Sequence, residues 1–138
     1  MITTAAKRER AFLAGVRLKG RRSLWASKDS LAELADLAGS AGARVVGSVI
    51  QRLSRPTHTY LGKGKVEELS SLAEGHSFDT LICDDELTPT QQRNLEDALG
   101  AKVIDRTALI LDVFARRART REGRLQVELA QNEYLLPR

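Results

Sequence analysis

Arg116, Arg117, Arg119, Arg121 and Arg124 crowd into one short run, opposed only by Glu122. A guanidinium makes forked hydrogen bonds to phosphate oxygens and stacks on exposed bases, so arginine in such a run points to structured RNA. The plainer account is a solvated helix end, where the macrodipole favours cations at the C-terminus. A second anion-binding pattern is Gly62-Lys63-Gly64-Lys65, ahead of an expected helix. Glycine-rich backbone at a helix N-terminus presents N–H groups to phosphate. It is not a P-loop, because Val66 stands where the Mg²⁺-binding hydroxyl belongs and the upstream glycine is absent. Lys63 and Lys65 are therefore read as phosphate-backbone contacts, with Gly62 and Gly64 only a weak nucleotide candidate.

Other reactive groups form no catalytic set. Asp84-Asp85-Glu86 precedes a helix start, where acids complement the dipole and cap the chain, and no further acid can be placed beside them to hold magnesium. His58 and His76 are isolated, without a second ligand at metal-binding spacing. Cys83 sits in the apolar run Leu81-Ile82-Cys83 with no identifiable base, so it reads as a small hydrophobe in a reducing compartment. Trp25, between a basic stretch and the first helix, is expected to pack over the sheet edge rather than stack on a base. No catalytic residue and no metal ligand is assigned.

The net charge of +4 conceals segregation. Residues 1–28 hold eight bases and one acid, residues 29–115 eight bases and fourteen acids, and residues 116–124 five bases and one acid. Basic ends around an acidic middle suit a polyanionic partner met by one face. The basic start also has the composition of an organelle transit peptide, but Ala11 to Leu18 reads better as a buried first strand. Ala108 to Leu111 is the longest strongly apolar stretch, far short of the roughly 20 residues that span a bilayer.

The elements that must position these groups follow from pattern. Strands are expected at Ala11 to Leu18, Arg44 to Ile50, Thr80 to Cys83 and Ala101 to Asp105. Helices are expected from Ser30, where Ser30-Leu-Ala-Glu33 has capping-box spacing, from about Gly64, and from Thr88-Pro89-Thr90-Gln91, ending before Gly100. A further helix covers Thr107 to Ala118, and Gln51 to Tyr60 reads as a mobile surface loop. Strict alternation implies an α/β fold, a small four-stranded parallel sheet flanked by helices on both faces. In the last segment Leu125, Leu129 and Leu136 fall on one helical stripe with nothing after them to cover it. That helix is expected to pack on an absent antiparallel mate or on another copy, making a homodimer through this stripe, and the chain is expected to be a fragment.

The ordered runs Val45 to Arg52, Thr59 to Leu69, Asp84 to Glu96, Val103 to Asp112, Phe114 to Ala130 and Glu133 to Arg138 resemble the amino-terminal domain of HflX proteins. The resemblance implies an α/β subdomain over residues 1–118 and, over 119–138, the first helix of a helical hairpin subdomain. It also implies a GTPase domain beyond the chain, with GTP and Mg²⁺ belonging there, and the large ribosomal subunit as partner, met through ribosomal RNA in splitting or rescuing ribosomes under stress. The second hairpin helix and the G domain would be partners in cis, and the location cytoplasmic. On this reading the chain is an RNA-docking module, not an enzyme. The rivals are a small nucleotide-binding enzyme using Gly62 to Lys65 with Asp84 to Glu86, and an interaction domain acting through its terminal helix.

Overall fold

The computed structural model describes residues 8–20 and 24–138, with side chains of residues 24–26 outside that description. The expectations for Trp25 and for the basic first residues fall largely outside it. In chain order the elements are β1 (Arg10–Leu18), α1 (Leu24–Ser40), β2 (Arg44–Leu53), α2 (Lys63–Glu74), β3 (Thr80–Cys83), α3 (Pro89–Leu99), β4 (Lys102–Asp105), α4 (Arg106–Arg117) and α5 (Arg121–Leu135). All strand pairs are parallel, in the order β2-β1-β3-β4. The expected α/β class and four parallel strands are what the structure has.

Alternation along β1 builds two cores, because successive side chains leave opposite faces of a strand. Ala11 and Leu13 face Leu31, Leu34 and Ala38 of α1 and Ala108, Leu109 and Val113 of α4. Ala14 and Val16 face Val66 and Leu69 of α2 and Leu95 and Leu99 of α3. All four residues of central β3 are buried, which explains its apolar run Leu81-Ile82-Cys83. The strand order reverses between β1 and β3, so their carboxyl ends form the crevice where open parallel sheets usually take ligands.

The start of α3 matches its sequence signal. Thr88 Oγ1 accepts from Gln91 N at 3.0 Å, Gln91 Oε1 accepts from Thr88 N at 3.1 Å, and Gly100 ends the helix with φ 63°. The start of α1 does not. The helix begins at Leu24, so Ser30 and Glu33 lie inside it. Serine and glutamate three apart share a face of any helix, and here that face meets α4, where Arg106 donates to Ser30 O at 2.9 Å and to Glu33 Oε1 at 2.8 Å.

Two further expectations are corrected. Gln51 to Tyr60 is not a free surface loop, since its first three residues complete β2, and Tyr60 and Leu61 are buried. Donors from α3 satisfy its backbone: Gln91 Nε2 gives to Thr57 O at 3.0 Å and Asn94 Nδ2 to His58 O at 3.1 Å. Nor does α5 lack a partner within the chain. It folds back along α4 through half-buried Val127, Ala130, Tyr134 and Leu135, the last two packing on the first core. The leucine stripe lies on the other side, with Leu125, Leu129 and Leu136 exposed by 55%, 60% and 83%.

Candidate nucleic-acid interface

Helix α4 starts at the carboxyl end of β4, where Asp105 Oδ1 accepts from Ala108 N at 3.0 Å, and runs back toward the amino ends of the strands. Its last turn carries Arg116 and Arg117. Arg116 Nε lies 3.7 Å from Asp112 Oδ2, and its guanidinium rests against Gly42 in the turn before β2. Arg117 donates to Ser40 Oγ at 3.5 Å. The chain then turns at Ala118 to Thr120, and Thr120 Oγ1 caps α5 by accepting from Gly123 N at 2.9 Å.

This corner gathers all five expected arginines, each of them exposed. Arg116 and Arg117 at the end of α4 are where the helix dipole favours cations. Arg121 and Arg124 are not. They occupy the opening turns of α5, whose dipole disfavours positive charge, and among the described residues no carboxylate lies within ion-pair distance of Arg119, Arg121 or Arg124.

What aims the corner is a buried anchor at the far end of α5, which the sequence reading missed. Asp105, fully buried, accepts from Leu87 N at 3.0 Å through Oδ2, the oxygen that also takes the Tyr134 hydroxyl. Burial, then the bond to Asp105, pushes the Tyr134 phenol pKa up. Arg138 stacks over the Tyr134 ring at 3.8 Å and donates to Leu87 O at 2.6 Å. The only sequence signals were an acid preceding a helix and a Tyr/Arg pair four apart.

The remaining candidates are placed elsewhere. Lys63 and Lys65 open α2 at the carboxyl end of the sheet, the end opposite the arginine corner, and Lys65 pairs with Glu68 at 2.9 Å. A helix of the length of α4 rises about 18 Å, so lysines and arginines do not form one patch. The Gly62 amide, a weak phosphate candidate, donates instead to Gln51 Oε1 at 2.8 Å, while Gly64 is exposed.

Asp84 accepts from Arg106 Nε at 3.1 Å and Nη2 at 2.9 Å, and Asp85 from the Tyr60 hydroxyl at 2.5 Å. Burial opposes the Arg106 charge, but hydrogen bonds to Asp84 and Glu33 outweigh it and hold the guanidinium pKa above its ordinary value. Among the described residues no three of His, Cys, Asp and Glu cluster as a metal site. Cys83 is buried, and burial, with Asp105, Asp85 and Asp84 nearby, pushes its thiol pKa well up. His58 and His76 are both exposed.

Comparison with known proteins fits this architecture. The family model described as GTP-binding GTPase N-terminal matches residues 28–115. The GTPase HflX of Caldanaerobacter subterraneus subsp. tengcongensis is 55% identical over 113 residues, and that of Escherichia coli K12 41% over 111. The chain belongs to the HflX family, in its N-terminal domain. Each match takes in 80% of this chain but only 26% of the relative, so the chain spans about a quarter of the length of these HflX proteins. Among solved structures, a variant of SsGBP superposes with a TM-score of 0.76 at 25% identity, covering 94% of this chain and 40% of that one. A GTP-binding protein from the hyperthermophilic archaeon Sulfolobus solfataricus in complex with GDP gives 0.71 at 26% identity, covering 94% and 37%.

Proposed function

We propose that this domain is an RNA-docking module of an HflX GTPase. Arg116, Arg117, Arg119, Arg121 and Arg124 would meet phosphates of large-subunit ribosomal RNA, in the service of splitting or rescuing ribosomes under stress in the cytoplasm. The observation that supports it most is the placement of Arg121 and Arg124. Arg121, in the first turn, faces an unfavourable dipole worth about 0.3–1 kcal/mol at an exposed site, and Arg124 opens the second turn. Glu122, the acid of that first turn, stands at ion-pair distance from neither. An RNA phosphate would supply the missing countercharge. On this reading GTP and Mg²⁺ belong to another part of the protein, and the domain hydrolyses nothing.

Co-sedimentation with purified large ribosomal subunits over a range of salt tests this. Binding should weaken steeply with salt, each lost phosphate contact lowering the slope of log K against log salt by about 0.7–0.9. Replacing the five arginines by Gln should flatten that slope. Equal binding and equal slope would exclude them as the contact.

The exposure of Leu125, Leu129 and Leu136 favours a second role for α5, as a surface for a helix of the same protein or of a second copy. A nucleotide site at Gly62 to Lys65 has less support, because the Gly62 amide is already taken by Gln51.

A further inference from the structure

Arg17 and Arg52 are register partners in the parallel pairing of β1 and β2. Paired residues on neighbouring strands leave the sheet on the same face, with their backbones about 4.8 Å apart. Like charges so placed destabilise a sheet. The face is the one that α1 and α4 cover further down, since Leu13 and Ile50, at even spacing from Arg17 and Arg52, both pack in that core. Lys19 continues the ladder by donating its amide to Leu53 O at 3.0 Å. It shares with Arg52, Leu53 and Ser54 an open depression of about 330 Å³.

Elsewhere, three cations on or beside the strands are matched, while Arg44, the register partner of Arg10 at the start of β2, has no ion pair among the described residues. Arg10 pairs with Asp79 at 3.2 Å, Lys102 with Glu9 at 3.5 Å, and Arg106, just after β4, with Asp84 at 2.9 Å. No carboxylate among the described residues stands within ion-pair distance of Arg17, Lys19 or Arg52.

We propose that Arg17, Lys19 and Arg52 form a second RNA phosphate-binding surface, at the opposite end of the domain from the arginine corner. The assignment rests on the RNA-docking reading and extends it. Two guanidiniums held side by side by strand pairing present forked donors without first having to be brought together, which suits phosphate oxygens. The two surfaces are separated by at least the rise of α4, about 18 Å. An RNA touching both must be folded or long, and engaging both raises the effective concentration of each contact and sets the orientation of the domain.

The test is fluorescence anisotropy of a labelled, folded RNA hairpin titrated with this chain across a range of salt. It compares wild type, Arg17→Gln/Arg52→Gln, Arg17→Lys/Arg52→Lys and Arg119→Gln/Arg121→Gln/Arg124→Gln. The Gln pair should flatten the salt slope by about 1.5, from two contacts at about 0.7–0.9 each, while the Lys pair keeps the wild-type slope. A wild-type slope for the Gln pair would overturn the proposal. If only the corner variant flattens the slope, this surface is excluded and the corner stands; if only the Arg17/Arg52 variant does, the reverse holds. Poly-glutamate displacing the hairpin as readily as unlabelled RNA of equal charge would also overturn it. The Gln pair should unfold in urea no earlier than wild type, because a repulsion has been removed. A clearly lower midpoint would mean the arginines serve an internal partner, and would sink the proposal too.

Discussion

Replacing Asp105 with alanine should remove the joint that holds β4, the β3–α3 loop, α4 and α5 together. The carboxylate is fully buried and accepts two backbone N–H groups, Leu87 and Ala108, each at 3.0 Å, along with the Tyr134 hydroxyl. Alanine leaves both amides buried without an acceptor, at about 1–3 kcal/mol each. The Ala108 amide is also the N-cap bond of α4, so that loss is counted once. The Tyr134 phenol is half-exposed and can turn to water, adding less. The expected loss is about 4 kcal/mol, a large share of the roughly 5–15 kcal/mol that keeps a domain folded. Urea unfolding followed by far-ultraviolet circular dichroism reads it as a lower midpoint at constant slope. In a double-mutant cycle, Tyr134→Phe should cost less alone and little more on top of Asp105→Ala, because the two share one bond. A loss under about 1 kcal/mol for Asp105→Ala would refute the account, since both amides would then have other acceptors.

Gly47→Ala would place a methyl group 2.5 Å from the Phe12 ring across the β1–β2 pair, and should cost about 1–3 kcal/mol in the same urea assay. Burial, and then nearby Cys83 and Asp85, hold the Tyr60 phenol neutral far above its ordinary pKa. Above about pH 10 the unfolded chain therefore releases a proton that the folded one keeps, and stability should fall by up to about 1.4 kcal/mol per pH unit. Tyr60→Phe should remove one such share of the alkaline slope, Tyr134 and the buried Cys83 thiol, whose pKa values are also raised, supplying the others. Cys83 should react with a thiol reagent only as fast as the domain opens, so its rate should climb with urea; rapid reaction in the native state would contradict its burial. If copies associate through α5, light scattering should show concentration-dependent mass for the wild type that Leu129→Glu abolishes.

Much of this domain is legible without coordinates because its signals are local. Alternating short apolar runs and helical stripes specify a parallel α/β sheet. Thr88, Pro89 and Gln91 carry their own helix start, and Arg116 to Arg124 stand together in any fold that keeps α4 and α5 adjacent. Local signals fail where a residue answers to a distant partner. Ser30 and Glu33 look like a cap but serve Arg106, more than seventy positions away. The loop before α2 looks mobile until α3 supplies its hydrogen bonds, and α5 looks unpartnered until Tyr134 reaches Asp105.

Strand order decides the rest. Because the strands all pair in parallel, helices start at one end of the sheet and finish at the other, which parts Lys63 and Lys65 at the start of α2 from the arginine corner at the end of α4, and the β1–β2 register sets Arg17 beside Arg52. Residue type and helical or strand period are properties of neighbouring residues, so the one-dimensional pattern settles them. Which charges end up next to each other depends on crossovers between segments tens of residues apart, and only the folded chain brings those together.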